Sequence, residues 1–396
     1  MAEARKQKRA TPAGNTSQEA REKARQSIRE VDKALNGLWN LGRNIVVGWC
    51  AAEEGMAVLA IPQYVLPELS DEQSAILGGR RMMTPENLAK ASVMLGVKPL
   101  PLKLSIKTGR NGVPTRAIES VMRRYCITKS EHRAAIMFDI VGFSLHTPME
   151  QVTLLNSLSY SINVAHSRAL ANGLTLELGR STTGDGFYAW NWEDGVDADI
   201  NLFYMMMLVL ADNALARRRG TAATAPTLRT CFHIGSHYEY YQAEGLSPAI
   251  SGYIVGNLTI ELARMLDKAL PGQVLIGSFN RPKDERNFGS PMGRVLTPSF
   301  VDRAQTRLDD LKEVRLSGES ISAIKCYLTG EAVSPGVFSV KKFSVNDKHG
   351  LRRDVFNAKV NIYRGDADAV FLGLEHAELE RFDAEAGDFR PAAATA

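Results

Sequence analysis

Between residues 134 and 276 short apolar runs alternate with long stretches of helical period, and their order leaves few folds open. Ala134-Ala-Ile-Met-Phe-Asp-Ile-Val141 is an apolar run with one acid near its end, the pattern of a buried strand. Gly142-Phe143-Ser144 turns the chain. Thr147-Pro148-Met149-Glu150 then starts a helix, with Thr at the N-cap, Pro at the first helical position and Glu closing a capping box. Val152, Leu155, Leu158, Ile162, Ala165 and Ala169 follow at helical spacing, so that helix buries one face. Residues 174–178 and 187–190 read as strands around Thr182-Thr-Gly-Asp-Gly186, a hairpin turn. A second helix runs from about Asp199 to Arg217-Arg-Arg-Gly220, with cations in its last turn and Gly as its cap. Leu228, Thr230, Phe232 and Ile234 alternate with Arg229, Cys231 and His233 as a strand. Residues 258–270 form a third helix, stopped by Pro271-Gly272, and residues 273–276 a further strand.

Strand, helix, hairpin, helix, strand is the βαββαβ order of a ferredoxin-like palm, an α+β fold. It is expected over residues 130–330. Residues 1–30 are rich in Lys, Arg, Gln, Glu and Ala without an apolar stripe and read as a flexible basic tail. Residues 31–129 read as mainly helical, with turns at Pro62, Pro67 and the Gly109–Pro114 loop. Residues 331–396 read as a C-terminal extension: strands over 338–345 and 355–363, a helix from Asp366, and a disordered Ala-rich end. Asp347-Lys-His-Gly350 is a surface turn or a lid near the site.

Composition removes several classes. The chain of 396 residues is 44% hydrophobic and 23% charged, ordinary for a soluble globular protein. Its net charge of +4 is not gathered into the dense Lys/Arg stripe of a nucleic-acid footprint. Cys50, Cys126, Cys231 and Cys326 are scattered, as reduced buried thiols are, rather than paired as a disulfide framework or zinc site. The chain opens on polar and basic residues with no apolar signal region. Residues 45–66 are interrupted by Glu53, Glu54 and prolines, and residues 202–210 fall short of the ~20 that span a bilayer. No membrane and a cytoplasmic location are expected.

Two acids carry chemistry. Asp139 closes the first palm strand and Asp185 sits in the hairpin turn, which lie side by side in a βαββαβ sheet. Hard cations such as Mg²⁺ or Mn²⁺ prefer oxygen ligands and share one or two carboxylates with substrate phosphates. Two metals so held would activate a ribose 3′-hydroxyl and steady the α-phosphate as pyrophosphate leaves. The Gly142-Phe143-Ser144 turn before a capped helix would offer backbone N–H groups and a helix N-terminus to the triphosphate. Singly, each piece has a structural reading: Asp-Gly is a common hairpin dipeptide, an Asp after a strand is often the next turn, and Thr147 is a plain cap.

Phe138-Asp-Ile-Val-Gly-Phe-Ser144 resembles the first metal-binding motif of class III adenylyl and guanylyl cyclases, and Thr183-Gly-Asp-Gly-Phe187 their second. Arg229-Thr-Cys-Phe-His-Ile-Gly235 is similar to the strand after their second helix, and the stretch from Gly256-Asn257 to Ala263-Arg264 to the helix with the transition-state arginine. The resemblance covers roughly half the chain and implies a homodimer with sites shared across the interface. It implies two Mg²⁺ or Mn²⁺ ions per site on Asp139, Ile140 and Asp185, with Arg264 of the opposite subunit stabilising the transferring phosphate. Purine cyclases usually carry a Lys four residues before the second aspartate, where this chain has Ser181 beside Arg180. They carry a polar residue where Tyr253 stands, and an Asn where Ile260 stands, for which Asn257 is the substitute. With Thr182-Thr-Gly-Asp-Gly-Phe-Tyr-Ala-Trp-Asn191 these departures resemble the pyrimidine cyclases of bacterial Pycsar anti-phage systems. That likeness implies a UTP or CTP substrate, UTP ahead, and a cyclic nucleotide that activates a separate effector. Two alternatives stay open: an adenylyl or guanylyl cyclase, and an inactive cyclase-like module that binds a nucleotide or partner.

Overall fold

The computed structural model describes residues 14–79, 81–104, 114–243, 250–283, 293–312, 314–334, 337–346, 350–382 and 384–388. Residues 1–13 of the expected tail, 109–113 of the expected loop, 347–349 of the expected turn and the Ala-rich end from 389 lie outside them. The chain divides into two compact units, one up to Lys129 with Tyr238–Ser251, the other Ser130–His237 with Gly252 onward.

In the first unit α1 (Gly14–Trp39) replaces the tail expected as far as residue 30. The apolar stripe begins at Ile28 and runs through Val31, Leu35 and Leu38 at helical spacing, so the helix has a core to hold it. β1 (Asn44–Ala52), β2 (Gly55–Pro62) and, after α2 (Asp71–Ser74) and α3 (Pro85–Leu95), β3 (Leu100–Lys103) form an antiparallel sheet in the order β1-β2-β3. α4 (Thr115–Met122) completes the unit. The region expected to be mainly helical is therefore mixed. The reason is local: Ile45, Val46 and Val47 favour an extended chain, and Glu53-Glu54-Gly55 closes a hairpin. Gly55 has φ +118°, and a Cβ there would stand 2.2 Å from the Leu102 carbonyl oxygen, so β3 approaches only a glycine. One sheet face buries Val46, Trp49, Met56 and Val58 with α1 and α4; the other buries Ile45, Val47, Leu59 and Ile61 with Leu77 and Leu88.

The second unit is built on β4 (Ile127–Ile140), α5 (Pro148–Ala171), β5 (Leu178–Thr182), β6 (Gly186–Asn191), α6 (Val196–Arg219) and β7 (Leu228–Ala243). β8 (Ile250–Val255), α7 (Asn257–Lys268) and β9 (Val274–Gly277) follow. Three short ribbons pair β10 (Asn280–Pro282) with β11 (Arg294–Leu296), β12 (Val314–Leu316) with β13 (Glu319–Ile321), and β15 (Ala332–Ser334) with β16 (Val337–Phe338). α8 (Thr297–Asp309), β14 (Ala323–Thr329), β17 (Lys341–Asn346), β18 (Arg352–Arg364), β19 (Ala367–Leu372) and β20 (Glu385–Asp388) complete it.

The main sheet has the order β20-β17-β18-β9-β7-β4-β6-β5, and β7-β4-β6-β5 within it is the ferredoxin-like order expected of βαββαβ. Two details differ from the sequence reading. β5 begins at Leu178, where the 174–178 run ends, and the helix expected from Asp366 is strand β19 followed by a 3₁₀ turn at His376–Arg381. Val360, Ile362 and Val370 are buried where β18 faces β19, and that pairing outweighs any local helical preference. β18 pairs directly with β9, so the strands beyond residue 331 extend the palm sheet.

α5 and α6 cover one face through Leu154, Leu158, Ile162, Phe203 and Leu208, with Phe203 against Phe232 of β7. Leu258, Leu262, Met265 and Leu266 of α7 cover the other, over Ala135, Met137, Trp190 and Cys231. α6 has 24 residues and is long and apolar enough to cross a membrane, but its apolar 18-residue stretch is wholly buried inside the unit. Its buried Asp212 is tied to protein groups, accepting from Ser161 Oγ at 2.7 Å and from the Ser317 N–H at 2.8 Å. It reads as a core helix.

Candidate active site

The apolar run of β4 ends at Asp139, only 3% exposed, in register with Gly186 of β6. A Cβ on Gly186 would lie 1.9 Å from the Phe138 carbonyl oxygen, so glycine is what lets the hairpin close onto β4. Ile140 donates its N–H to the Asp185 carbonyl at 3.0 Å, fixing the turn residue beside the strand end. Within the turn Thr183 Oγ1 donates to Asp185 Oδ1 at 3.3 Å, Gly184 N donates to Thr182 Oγ1 at 3.1 Å, and Gly184 takes φ +98°. The two carboxylates come together as the sequence predicts. Burial pushes the Asp139 carboxyl above its ordinary value, and the neighbouring Asp185 charge and hydrogen bond push the same way, against Arg229. Arg229, on β7, donates from Nε at 2.8 Å and Nη2 at 2.6 Å to Asp139 Oδ2. The sequence reading placed Arg229 in a motif without giving it a role; a lone cation in an otherwise apolar alternation was the available signal.

The expected turn and cap stand next in the chain. Gly142 takes φ 67°, and Phe143–Leu145 make one 3₁₀ turn. Thr147 Oγ1 accepts from the Glu150 N–H, and Glu150 Oε2 accepts from the Thr147 N–H at 2.8 Å, the predicted capping box at the head of α5. Gln151 Nε2 donates to the carbonyls of Phe143 and His146 at 3.3 and 3.0 Å and folds the turn onto the helix.

Arg180 and Ser181 lie on opposite faces of β5, as strand alternation requires. Arg180 turns to α5, donating from Nη1 to Ser159 Oγ at 3.2 Å and Asn163 Oδ1 at 3.0 Å, with its guanidinium 5.9 Å from the Phe187 ring centre. The structure therefore seats this cation among α5 residues. Tyr253 lies on β8, half-buried, and Asn257 opens α7, donating from Nδ2 to Ser236 Oγ at 3.4 Å. Arg264 donates from Nη1 to Asp267 Oδ2 at 3.3 Å, and Ile260 is 49% exposed one turn before it. Among the described residues no three His, Cys, Asp or Glu side chains gather as a metal site, so the Asp139–Asp185 pair is a two-carboxylate centre.

No protein-family model and no curated protein matches the chain. Among solved structures it is similar to the guanylate cyclase domain of RhGC from Catenaria anguillulae in complex with GTP, at 12% identity over 60% of this chain and 98% of that one, TM-score 0.34. It is similar to the adenylyl cyclase CyaB from P. aeruginosa, at 13% identity over 58% and 95%, TM-score 0.33. Adenylate cyclases from Trypanosoma brucei in their monomeric state match at 11% identity over 65% and 96%, TM-score 0.31. At such values the superpositions assign no role to any residue of this chain.

Sequence reading also missed a cavity of about 520 Å³ lined by His233, Glu261, Met265, Ser278, Arg352, Arg353 and Asp354. Arg353 Nε stands 2.8 Å from Glu261 Oε2 across it. Burial first, and Arg353 second, push the His233 imidazole from 6.5 down to about 4. A base lowered on folding binds its proton more readily when unfolded, so its contribution is complete above the ordinary value and fades as pH falls from 6.5 to about 4. Urea unfolding at pH 7 and pH 4.5 is expected to show wild type losing about 2–3 kcal/mol more stability than His233→Gln over that interval. Equal losses would show that the imidazole titrates normally in the folded protein.

Proposed function

We propose that this chain is a class III-like nucleotidyl cyclase that converts a pyrimidine nucleoside triphosphate to its 3′,5′-cyclic monophosphate and pyrophosphate. The observation that carries the reading is the meeting of Asp139 and Asp185 where β4 and β6, the two inner strands of a ferredoxin-like β7-β4-β6-β5 sheet, come together at the end of β4. Two adjoining carboxylates, one of them buried and pushed towards protonation, form an oxygen donor set that fits Mg²⁺ or Mn²⁺, with the Ile140 backbone as third ligand. The ions would supply Lewis acidity at the phosphates and a more acidic 3′-hydroxyl. The chain's own residues do the rest. Asp139 and Asp185 concentrate negative charge where the ions bind, and the Gly142–Ser144 turn at the head of α5 presents N–H groups to the triphosphate. Arg264 reaches the transferring phosphate of the opposite subunit's site in a homodimer.

Support for a pyrimidine is the absence of a purine-reading Lys at Ser181 and the bulk of Tyr253, both on the motif resemblance. UTP stays ahead of CTP, with a stated condition: Arg180 serves a uracil carbonyl only by leaving Ser159 and Asn163. The same resemblance supports a role for the product as a second messenger in bacterial antiviral defence, read by a separate effector. Ile260, exposed where the family has an Asn, favours a second reading: an inactive module that binds a nucleotide. Purified protein incubated with Mn²⁺ and a mixture of ATP, GTP, CTP and UTP, its products resolved by mass, tests the reaction and its substrate. Cyclic UMP is expected as the main product. Cyclic CMP would overturn only the preference for UTP, cyclic AMP or cyclic GMP would overturn the pyrimidine, and no cyclic product would favour the inactive module.

A further inference from the structure

Arg229 already gives Asp139 a cation. Both of its hydrogen bonds end on the same oxygen, Oδ2, at 2.8 and 2.6 Å, the short geometry of a charge-assisted pair. The Asp139 side chain is 5% exposed and that of Arg229 29%, so the carboxylate is fixed inside while the guanidinium has an open side. The strand is tied on either side of Arg229: Val141 donates its N–H to the Thr227 carbonyl, and Thr230 donates to the Gln273 carbonyl, both at 3.0 Å.

Mg²⁺ takes a carboxylate oxygen at about 2.0–2.1 Å, close enough that a guanidinium bonded to the same carboxylate repels it. We infer that Arg229 is a positioning residue that competes with the divalent ion for Asp139: it holds the carboxylate by Oδ2 beforehand, its charge opposes an ion at either oxygen, and it moves off as the ion binds. The inference rests on the metal reading of the Asp139–Asp185 pair. It has a consequence that a purely structural arginine would not share. Removing the guanidinium should tighten metal binding, although it removes a favourable ion pair.

Binding of Mn²⁺ alone, without nucleotide, followed by the electron paramagnetic resonance of the free ion, tests this. Arg229→Gln should bind Mn²⁺ about tenfold more tightly than wild type, with Arg229→Lys, which keeps a cation, in between. Unchanged or weaker binding by Arg229→Gln overturns the competition. Should Arg229→Gln fail to fold, the wild type gives the answer through the nuclear magnetic resonance of its arginine Nε–H groups, Arg229→Lys identifying the Arg229 signal. That signal should shift in step with Mg²⁺ occupancy; a signal unmoved at saturation overturns the proposal. Wild-type Mn²⁺ binding that Asp139→Asn and Asp185→Asn leave untouched would remove the metal reading itself, and the competition with it.

Discussion

Asp185→Ala protein should fold and dimerise normally while losing cyclisation by about 10²–10³-fold or more, the loss of several kcal/mol of transition-state charge stabilisation. The turn explains why the fold survives. Its closure depends on backbone contacts, Ile140 N–H to the Asp185 carbonyl and Thr183 N–H to the Gly186 carbonyl, each at 3.0 Å, which alanine retains. Beyond its contact with Asp139, the side chain gives the turn a single long 3.3 Å contact with Thr183 Oγ1 among the described residues. The assembly can be tested with the same protein. Arg264→Ala should be inactive too, because its guanidinium is assigned to the opposite subunit's phosphate. Equal mixing of the two inactive chains should restore about a quarter of wild-type turnover, since half of the dimers are mixed and each mixed dimer has one intact site. No recovery once subunit exchange is demonstrated would count against a shared site, and near-normal turnover by Asp185→Ala would place the chemistry elsewhere.

The palm was legible because its signals are local. The capping box at Thr147 and Glu150, the Asp185-Gly186 turn and the apolar periods of α5 and α7 each lie within one short window, and the structure puts each where its pattern indicates. The first unit was less so, because the apolar runs at residues 45–49 and 56–61 are short and their period alone does not separate a strand from a buried helix, although Ile45, Val46 and Val47 favour the extended chain. Only β3, some forty residues later beside β2 at Gly55, depends on pairing between distant segments. At the site, sequence order placed Asp139 and Asp185 together because β4 and the β5–β6 hairpin are neighbours in the palm. Strand alternation puts Arg180 on the face opposite Ser181, but sequence order could not give its partners Ser159 and Asn163 of α5, nor the arrival of Arg229, ninety residues from Asp139. Both are tertiary facts about long side chains.

The largest stability effect is expected from Asp199, away from the reacting centre. Its side chain is fully buried in the first turn of α6, where Oδ1 accepts the Ala134 N–H at 2.8 Å and Oδ2 pairs with Arg281, itself 1% exposed. Ala134 lies on β4, the strand that carries Asp139 near its end, so this carboxylate ties α6 to the strand that carries the site. Asp199→Ala leaves a buried guanidinium without its partner, and Arg281→Ala leaves a buried carboxylate. Each should cost about 3–5 kcal/mol in urea unfolding, a large share of the ~5–15 kcal/mol that keeps a domain folded. Desolvating the pair nearly offsets its own attraction, so the double variant Asp199→Leu, Arg281→Met should recover much of that loss. It should still fall short of wild type by about 1–3 kcal/mol, because the Ala134 N–H is then buried without an acceptor. Asp199→Asn with Arg281→Met restores the acceptor but buries the amide's own N–H donors without one, and should fall short by a similar amount. Single variants that lose less than about 1 kcal/mol would mean that water reaches the pair in solution, and the tie between α6 and β4 would then rest on apolar packing alone.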